Sequence, residues 1–339
     1  MSYFFSRLFL VVLPLIVWQI VELFILPNNC FTFRPWESLK IQNGSLFQGP
    51  FYPNQTVAMW AAGDLTPRGL RSKYVRFQTD RSGYRNHDDY ASDIKYDYLL
   101  VGDSNFAGAN VDDSDTLRAV LENEYGKKAY TYASSYPPTK SFLNDDRITT
   151  NPPKFVVLDF RPEDVVFGRY ATWPKGKPVN QSQTAKLGEP VSLWELFLFE
   201  NTSVAFRIIY DRAHAQLGYN FLRARLKLAK RRQDPQLTVQ EAEANYHAVI
   251  ESMVTLRGRL QKQGTELIVL LMPLPYPAGV GDLVAQNLED RVPMVHWQAG
   301  SPYAAEAMQE SWYEPNDSHW RKSSIVCAAK RIVAASEGR

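Results

Sequence analysis

Apolar and polar positions alternate along this chain in two distinct periods, and the sequence divides accordingly. Tyr98-Leu99-Leu100-Val101 is a short, unbroken apolar run, the pattern of a strand buried on both faces of a parallel sheet. Phe155 to Phe160 reads the same way, and Ala129 to Ala133 is a candidate for the strand between them. From Thr116 to Tyr125 the period lengthens, with Leu117, Val120 and Leu121 on one face, which predicts a helix. A longer helix is predicted from a Thr238–Glu241 capping box, through Tyr246, Val249, Ile250, Met253, Leu256 and Leu260, to a C-cap at Gly264. Leu267 to Met272 follows as a strand stopped by Pro273, and Arg321 to Ala335 is a final amphipathic helix. Strands alternating with helices predict an α/β fold: a central parallel sheet with helices on both faces.

Two stretches fall outside that alternation. Leu8 to Leu26 is nearly all apolar and about the length needed to cross a bilayer core of ~30 Å. No small-residue cleavage pattern follows it, so an uncleaved anchor is favoured over a signal peptide. Arg7 places its N-terminus in the cytoplasm and the rest of the chain outside. The expected organisation is an anchor over 1–29, an irregular lead-in over 30–74, and an α/β domain over 75–339. Within that domain, 170–237 is a helical insertion. Between Arg207 and Arg232 it is strongly basic and interleaved with Leu217, Phe221, Leu222, Leu226 and Leu228, as in a helix on an anionic surface or a solvated helix face.

Composition narrows the function classes. A formal net charge of +2 argues against a nucleic-acid partner. The two cysteines, Cys30 and Cys327, form no CxxC or Cys/His spacing, so no metal site is expected. No cofactor is implied either. A Cys30–Cys327 disulfide is permitted in an oxidising compartment, but nothing local calls for it.

The candidate chemistry lies at the end of the first buried run, in Gly102-Asp103-Ser104-Asn105. Sites form at the carboxyl ends of parallel strands, and backbone N–H groups opening a helix there can hold an oxyanion. The competing reading is a simple loop with a helix cap. A serine nucleophile needs a base, and that base an orienting carboxylate. Asp317 and His319, just before the final helix, supply both. Residues two apart in extended chain point the same way, so Asp317 can take one imidazole nitrogen while the other faces Ser104.

With Gly-Asp-Ser-Asn after a strand and Asp317, His319 and Trp320 before the last helix, the chain resembles the SGNH/GDSL hydrolase superfamily. More narrowly, it is similar to the membrane-anchored branch of alginate-type polysaccharide O-acetyltransferases. The lead-in Phe77-Gln78-Thr79-Asp80-Arg81-Ser82-Gly83-Tyr84-Arg85-Asn86 also resembles that branch. The resemblance implies a three-layer, flavodoxin-like fold preceded by one transmembrane helix. It assigns Ser104 as nucleophile, His319 as base and Asp317 as its orienter. Two family blocks are altered: Ala133-Ser134-Ser135-Tyr136 lacks the usual Gly, and Asp159-Phe160-Arg161 stands where Gly-x-Asn-Asp is usual. Ser134, Ser135, Arg161 and Asn105 are the remaining candidates for oxyanion or substrate binding.

The function so implied is extracytoplasmic acetyl transfer to or from a polysaccharide, through a covalent acyl-serine. The acyl donor would be relayed from a multi-pass membrane partner, and the substrate would be a glycan. A carbohydrate esterase or lipase uses the same triad. An inactive SGNH-like subunit of polysaccharide export is the reading from a different class.

Overall fold

The protein is described from a computed structural model covering residues 7, 9–14, 16, 17, 49–51, 53–61, 73–133, 140–160, 239–271, 280–297, 312 and 319–338. An antiparallel ribbon comes first: β1 (Thr56–Ala61) pairs with β2 (Lys73–Gln78), placing Trp60 opposite Tyr74 and Thr56 opposite Gln78.

A five-stranded sheet follows. Its strands are β3 (Tyr98–Gly102), β4 (Ala129–Ala133), β5 (Phe155–Phe160), β6 (Glu266–Leu271) and β7 (Met294–His296). Every neighbouring pair is parallel, in the order β4-β3-β5-β6-β7. That is the 2-1-3-4-5 order of doubly wound, flavodoxin-like sheets. The apolar runs seen in the sequence are these strands, and successive side chains go to opposite cores. Leu99, Val101, Val156, Leu158, Leu267 and Val269 enter one core. Tyr98, Leu100, Val157, Ile268 and Leu270 enter the other.

Helices close both cores. Leu117–Tyr125 (α1) opens on Thr116, whose hydroxyl accepts the Ala119 N–H, and closes on Gly126 in the left-handed region. It shares the second core with Lys322–Glu337 (α5). Between them come the short Asp146–Thr150 (α2), then Val239–Gln261 (α3) and Val280–Leu288 (α4). α3 and α4 cover the first core through Val249, Met253, Leu256, Val284 and Leu288. Gly264, read as a C-cap, has φ +75° just beyond α3. Three layers therefore form around a parallel sheet, as the resemblance implies.

The transmembrane helix expected over 8–26 is corrected. Among the described residues no helix is long and apolar enough to cross a membrane. Hydropathy alone supported the anchor, and hydropathy does not distinguish a span from a shorter apolar helix. The single-pass cell-membrane location, the extracytoplasmic domain and the acyl-donor membrane partner all rested on that anchor and lose their ground. The glycan substrate was implied by the resemblance to that membrane-anchored branch and is not carried further. The insertion over 170–237, Cys30 and Thr238 lie outside the described residues.

Candidate active site

The strand order reverses between β3 and β5, and in sheets of this kind the crevice outside the carboxyl ends at that point receives ligands. Val101 of β3 stands beside Leu158 of β5, so the chain leaves β3 into Ser104 at the switch point. Gly102 is required here for space: a Cβ at this position would lie 2.5 Å from Cγ of the buried Phe106.

From Asp103 the chain folds into a tight turn in place of a long helix. The Asp103 N–H donates to Asp159 Oδ2 at the end of β5 (3.3 Å), tying the loop to the neighbouring strand. Asp103 Oδ1 accepts the Asn105 N–H (2.7 Å). The Ala107 and Ala109 N–H groups then reach the carbonyls of Asp103 and Ser104, both at 2.9 Å. Gly108 follows with φ +64°, a conformation that favours glycine. Ser104 is half-buried within this turn, while Asp103 and Asn105 on either side are fully buried. The helix expected directly after the serine begins only at Leu117. The N–H groups of Asn105, Ala107, Gly108 and Ala109 all donate within the turn, so no helix N-terminus opens at Ser104.

The far end of the chain is brought to this loop. Trp320 N–H donates to Asn105 Oδ1 (3.0 Å) across 215 residues, a buried contact that sets the neighbouring His319 against the serine loop. His319 is buried, and its Nδ1 lies 3.4 Å from the amide of the fully buried Asn110. Trp320 wedges edge-on against Phe106 (6.0 Å between ring centroids) and Trp312 (6.1 Å). The Trp312 carbonyl accepts the Arg321 N–H (3.2 Å) and the Ser324 hydroxyl (2.9 Å). These contacts pin the two residues preceding α5, so His319 is held on a rigid support.

A buried cation secures the loop from the other side. The Arg85 guanidinium donates to the carbonyls of Ala107 (3.1 Å), Gly108, Val111 (2.8 Å) and Arg76 (2.9 Å), and its Nε to Asp113 Oδ1 (3.0 Å). It also lies 4.0 Å from the centre of the Phe77 ring. Burial pulls the guanidinium's pKa down and the Asp113 carboxylate opposes that pull, so the cation persists. Asn86, next along, brackets Thr131 of the edge strand β4, accepting its N–H (2.8 Å) and donating to its carbonyl (3.1 Å). Asp80 receives hydrogen bonds from the Ser82 and Tyr84 N–H groups, Asn86 Nδ2 and the Tyr130 hydroxyl. Burial nevertheless pushes its pKa up to about 6.

Of the residues expected at the site, Ser104 and Asn105 share the turn after β3, and Asn105 is hydrogen-bonded to Trp320, the residue after His319. Asn105 has its N–H and Oδ1 committed to Asp103 and Trp320. Ser134, Ser135, Arg161 and Asp317 lie outside the described residues. Arg85, Asn110 and Asp159 were not singled out as site residues. The one local signal for Asn110 is its isolation as a polar residue in Phe106-Ala107-Gly108-Ala109-Asn110-Val111. Among the described residues no group of three or more His, Cys, Asp or Glu is placed to hold a metal ion.

No protein-family model matches the chain, and no curated protein matches it. Among solved structures, the crystal structure of TesA aligns at TM-score 0.36 and 11% identity, covering 71% of this chain and 98% of its own. A protein from Desulfitobacterium hafniense DCB-2, described as lipolytic and of the G-D-S-L family, aligns at TM-score 0.34 and 9% identity, covering 70% and 98%. Neither of these two structures is described as a membrane-anchored acetyltransferase, the branch that the motifs resembled.

Proposed function

We propose that the chain is a serine-dependent acyl hydrolase or acyltransferase, with Ser104 as nucleophile and His319 as general base. The observation that carries this reading is the Trp320 N–H to Asn105 Oδ1 bond, which joins the two motifs at the sheet's switch point. His319 takes the Ser104 hydroxyl proton as Oγ attacks the carbonyl carbon of an ester. The tetrahedral intermediate collapses, the ester C–O bond breaks, and the departing alkoxide takes the proton from the imidazolium. The resulting acyl-serine is attacked by water, or by an acceptor hydroxyl, whose proton passes to His319 and then back to Ser104. Ser134, Ser135 and Arg161, which follow β4 and β5 in sequence, are the candidate oxyanion donors, and Asp317 is the carboxylate nearest His319 in sequence.

Hydrolysis and transfer differ only in what resolves the acyl-serine. Labelling with a fluorophosphonate, a phosphonylating mimic of the acyl donor, tests the shared step. The wild type is expected to label at Ser104 and Ser104→Ala to lose the label. A folded wild-type protein that takes up no label removes the catalytic reading and leaves a binding role.

A further inference from the structure

The β1–β2 ribbon has two edges, and only one of them is closed. The phase of its ladder is set at the open end, where the Thr79 N–H donates to the Gln55 carbonyl (2.9 Å) and the Gln55 N–H to the Thr79 hydroxyl (3.0 Å). From there the hydrogen-bonded pairs are Val57 with Phe77, Met59 with Val75 and Ala61 with Lys73, and the residues between them turn their N–H and C=O groups outward. On β2 the outward groups are capped: Asp112 Oδ1 accepts the Arg76 N–H (2.8 Å), Asp113 Oδ1 the Gln78 N–H (3.4 Å), and Arg85 donates to the Arg76 carbonyl (2.9 Å). On β1 the outward groups belong to Thr56, Ala58 and Trp60. Among the described residues β1 has no strand neighbour but β2, and these groups have no hydrogen-bond partner. All three side chains are exposed, Trp60 by 54%, with its ring edge-on to the exposed Tyr74 (5.8 Å). An open edge is normally guarded by a charge, a proline or a bulge. Thr56-Val57-Ala58-Met59-Trp60-Ala61 has no charge and no proline, and its register is unbroken.

We propose that β1 pairs antiparallel with β1 of a second copy of this chain, joining two ribbons into a four-stranded sheet about a twofold axis at Ala58. In this register every outward group of the strand finds a partner. Ala58 exchanges both hydrogen bonds with Ala58 of the second copy, and Thr56 exchanges both with Trp60 of the second copy, once on each side of the axis. Shifting the register by two residues either way leaves outward groups unpaired. Side-chain sizes agree. Two methyl groups meet at the axis, where large side chains would crowd, and each indole lies opposite a short threonine. Charges agree as well. Arg76 stands opposite Ala58 on β2, so the two Arg76 side chains of the pair lie three strand spacings apart, roughly 14 Å, beyond the ~8 Å screening length at physiological salt. A six-residue seam is small beside the ~1,200 Å² of a standard interface, so the dimer is weak and forms at high concentration. None of this depends on the catalytic reading above.

Sedimentation velocity of the full chain over a dilution series, at physiological salt, reads the association. The wild type is expected to show a concentration-dependent monomer–dimer equilibrium. Ala58→Glu changes an exposed position, so it should keep the fold by circular dichroism. It should raise the dissociation constant by about tenfold or more, because two carboxylates then meet at the axis. Ala58→Lys should do the same. An equimolar mixture of the two should recover a dimer at least as tight as that of the wild type, since opposite charges then meet there. That reciprocity is expected only where position 58 faces its own copy. Ala58→Pro removes an outward N–H and no hydrogen bond of the ribbon. It should weaken the dimer likewise, and it decides the matter if a charged variant misfolds. A wild type that stays monomeric at every concentration overturns the proposal and leaves the edge to an extended segment of another protein. A dimer unchanged by Ala58→Glu or Ala58→Pro overturns it too, as does a mixture of the charged variants that fails to recover.

Discussion

Replacing Arg85 with Met keeps much of the side chain's length and apolar stem but removes every donor. The structure sets the cost. The buried carbonyls of Ala107, Gly108 and Val111, the half-buried carbonyl of Arg76 and the Asp113 carboxylate all lose a partner. Leaving one buried acceptor unsatisfied costs about 1–3 kcal/mol. Removing one partner of a buried ion pair costs about 3–5 kcal/mol, and the Arg85 side chain is only 2% exposed and that of Asp113 8%. These terms overlap, because the loop can relax and water can enter, so the expected loss is about 5 kcal/mol or more and not their sum. Set against a typical total stability of about 5–15 kcal/mol, Arg85→Met should leave the domain marginal. Arg85→Lys keeps the charge but not the planar fork, and is expected to cost about 2–4 kcal/mol. Urea unfolding followed by tryptophan fluorescence is a suitable assay, because Trp297, Trp312 and Trp320 pack together beside the serine loop. Adding Asp113→Asn to Arg85→Met removes the stranded charge and should recover about 1–3 kcal/mol. If Arg85→Met unfolds within about 1 kcal/mol of the wild type, or the second substitution recovers nothing, the guanidinium does not hold the loop as described.

The Gly102 and Asp80 environments make two further claims. Gly102→Ala puts a methyl group 2.5 Å from Phe106 Cγ. It should destabilise the fold by about 1–3 kcal/mol and slow fluorophosphonate labelling by displacing the turn, and an unchanged labelling rate would refute the close packing. Asp80 has its pKa raised by burial from the ordinary 3.8 to about 6, so between those values the folded protein holds a proton that the unfolded chain releases. Its contribution to stability is therefore full below pH 3.8 and lost as the pH rises through about 6. That amounts to about 3 kcal/mol. Relative to Asp80→Asn, the wild type should gain stability as the pH falls from 7.5 to 4.5; a flat or opposite difference in chemical denaturation at the two pH values would contradict this. Proton uptake is tolerated there because the Tyr130 hydroxyl, unlike the N–H partners of Asp80, can turn from donor to acceptor.

What the sequence reveals and what it hides follow from the range of the forces involved. The strands β3 to β6 are legible to within a residue because burial on both faces demands unbroken apolar runs, and α1 because Leu117, Val120 and Leu121 recur at helical spacing. The apolar stretch after Arg7 misleads because hydropathy reports only what avoids water, and among the described residues no helix is long and apolar enough to cross a membrane. Arg85 and Asn110 are hidden because their meaning lies in partners 9 to 209 residues away. A buried guanidinium is costly until every acceptor around it is known, and no periodicity records those acceptors.

The Gly-Asp-Ser-Asn stretch shows how the two kinds of information combine. Read by itself, it fits a helix-capping loop as well as a nucleophile. In the structure Gly102 makes room for Phe106, Asp103 closes the turn onto Asn105 and β5, and Asn105 ties down Trp320. Three of the four residues thus have structural duties that account for their identity. A capping loop would need none of the long-range ties, least of all one across 215 residues to the segment that carries the buried His319. Ser104, half-buried between two fully buried neighbours, is the residue those ties place at the sheet's switch point. The motif is therefore better understood as a rigid mount for one hydroxyl than as four functional side chains. Disturbing the mount at Gly102 or Arg85 should then reduce Ser104 reactivity with the hydroxyl itself intact.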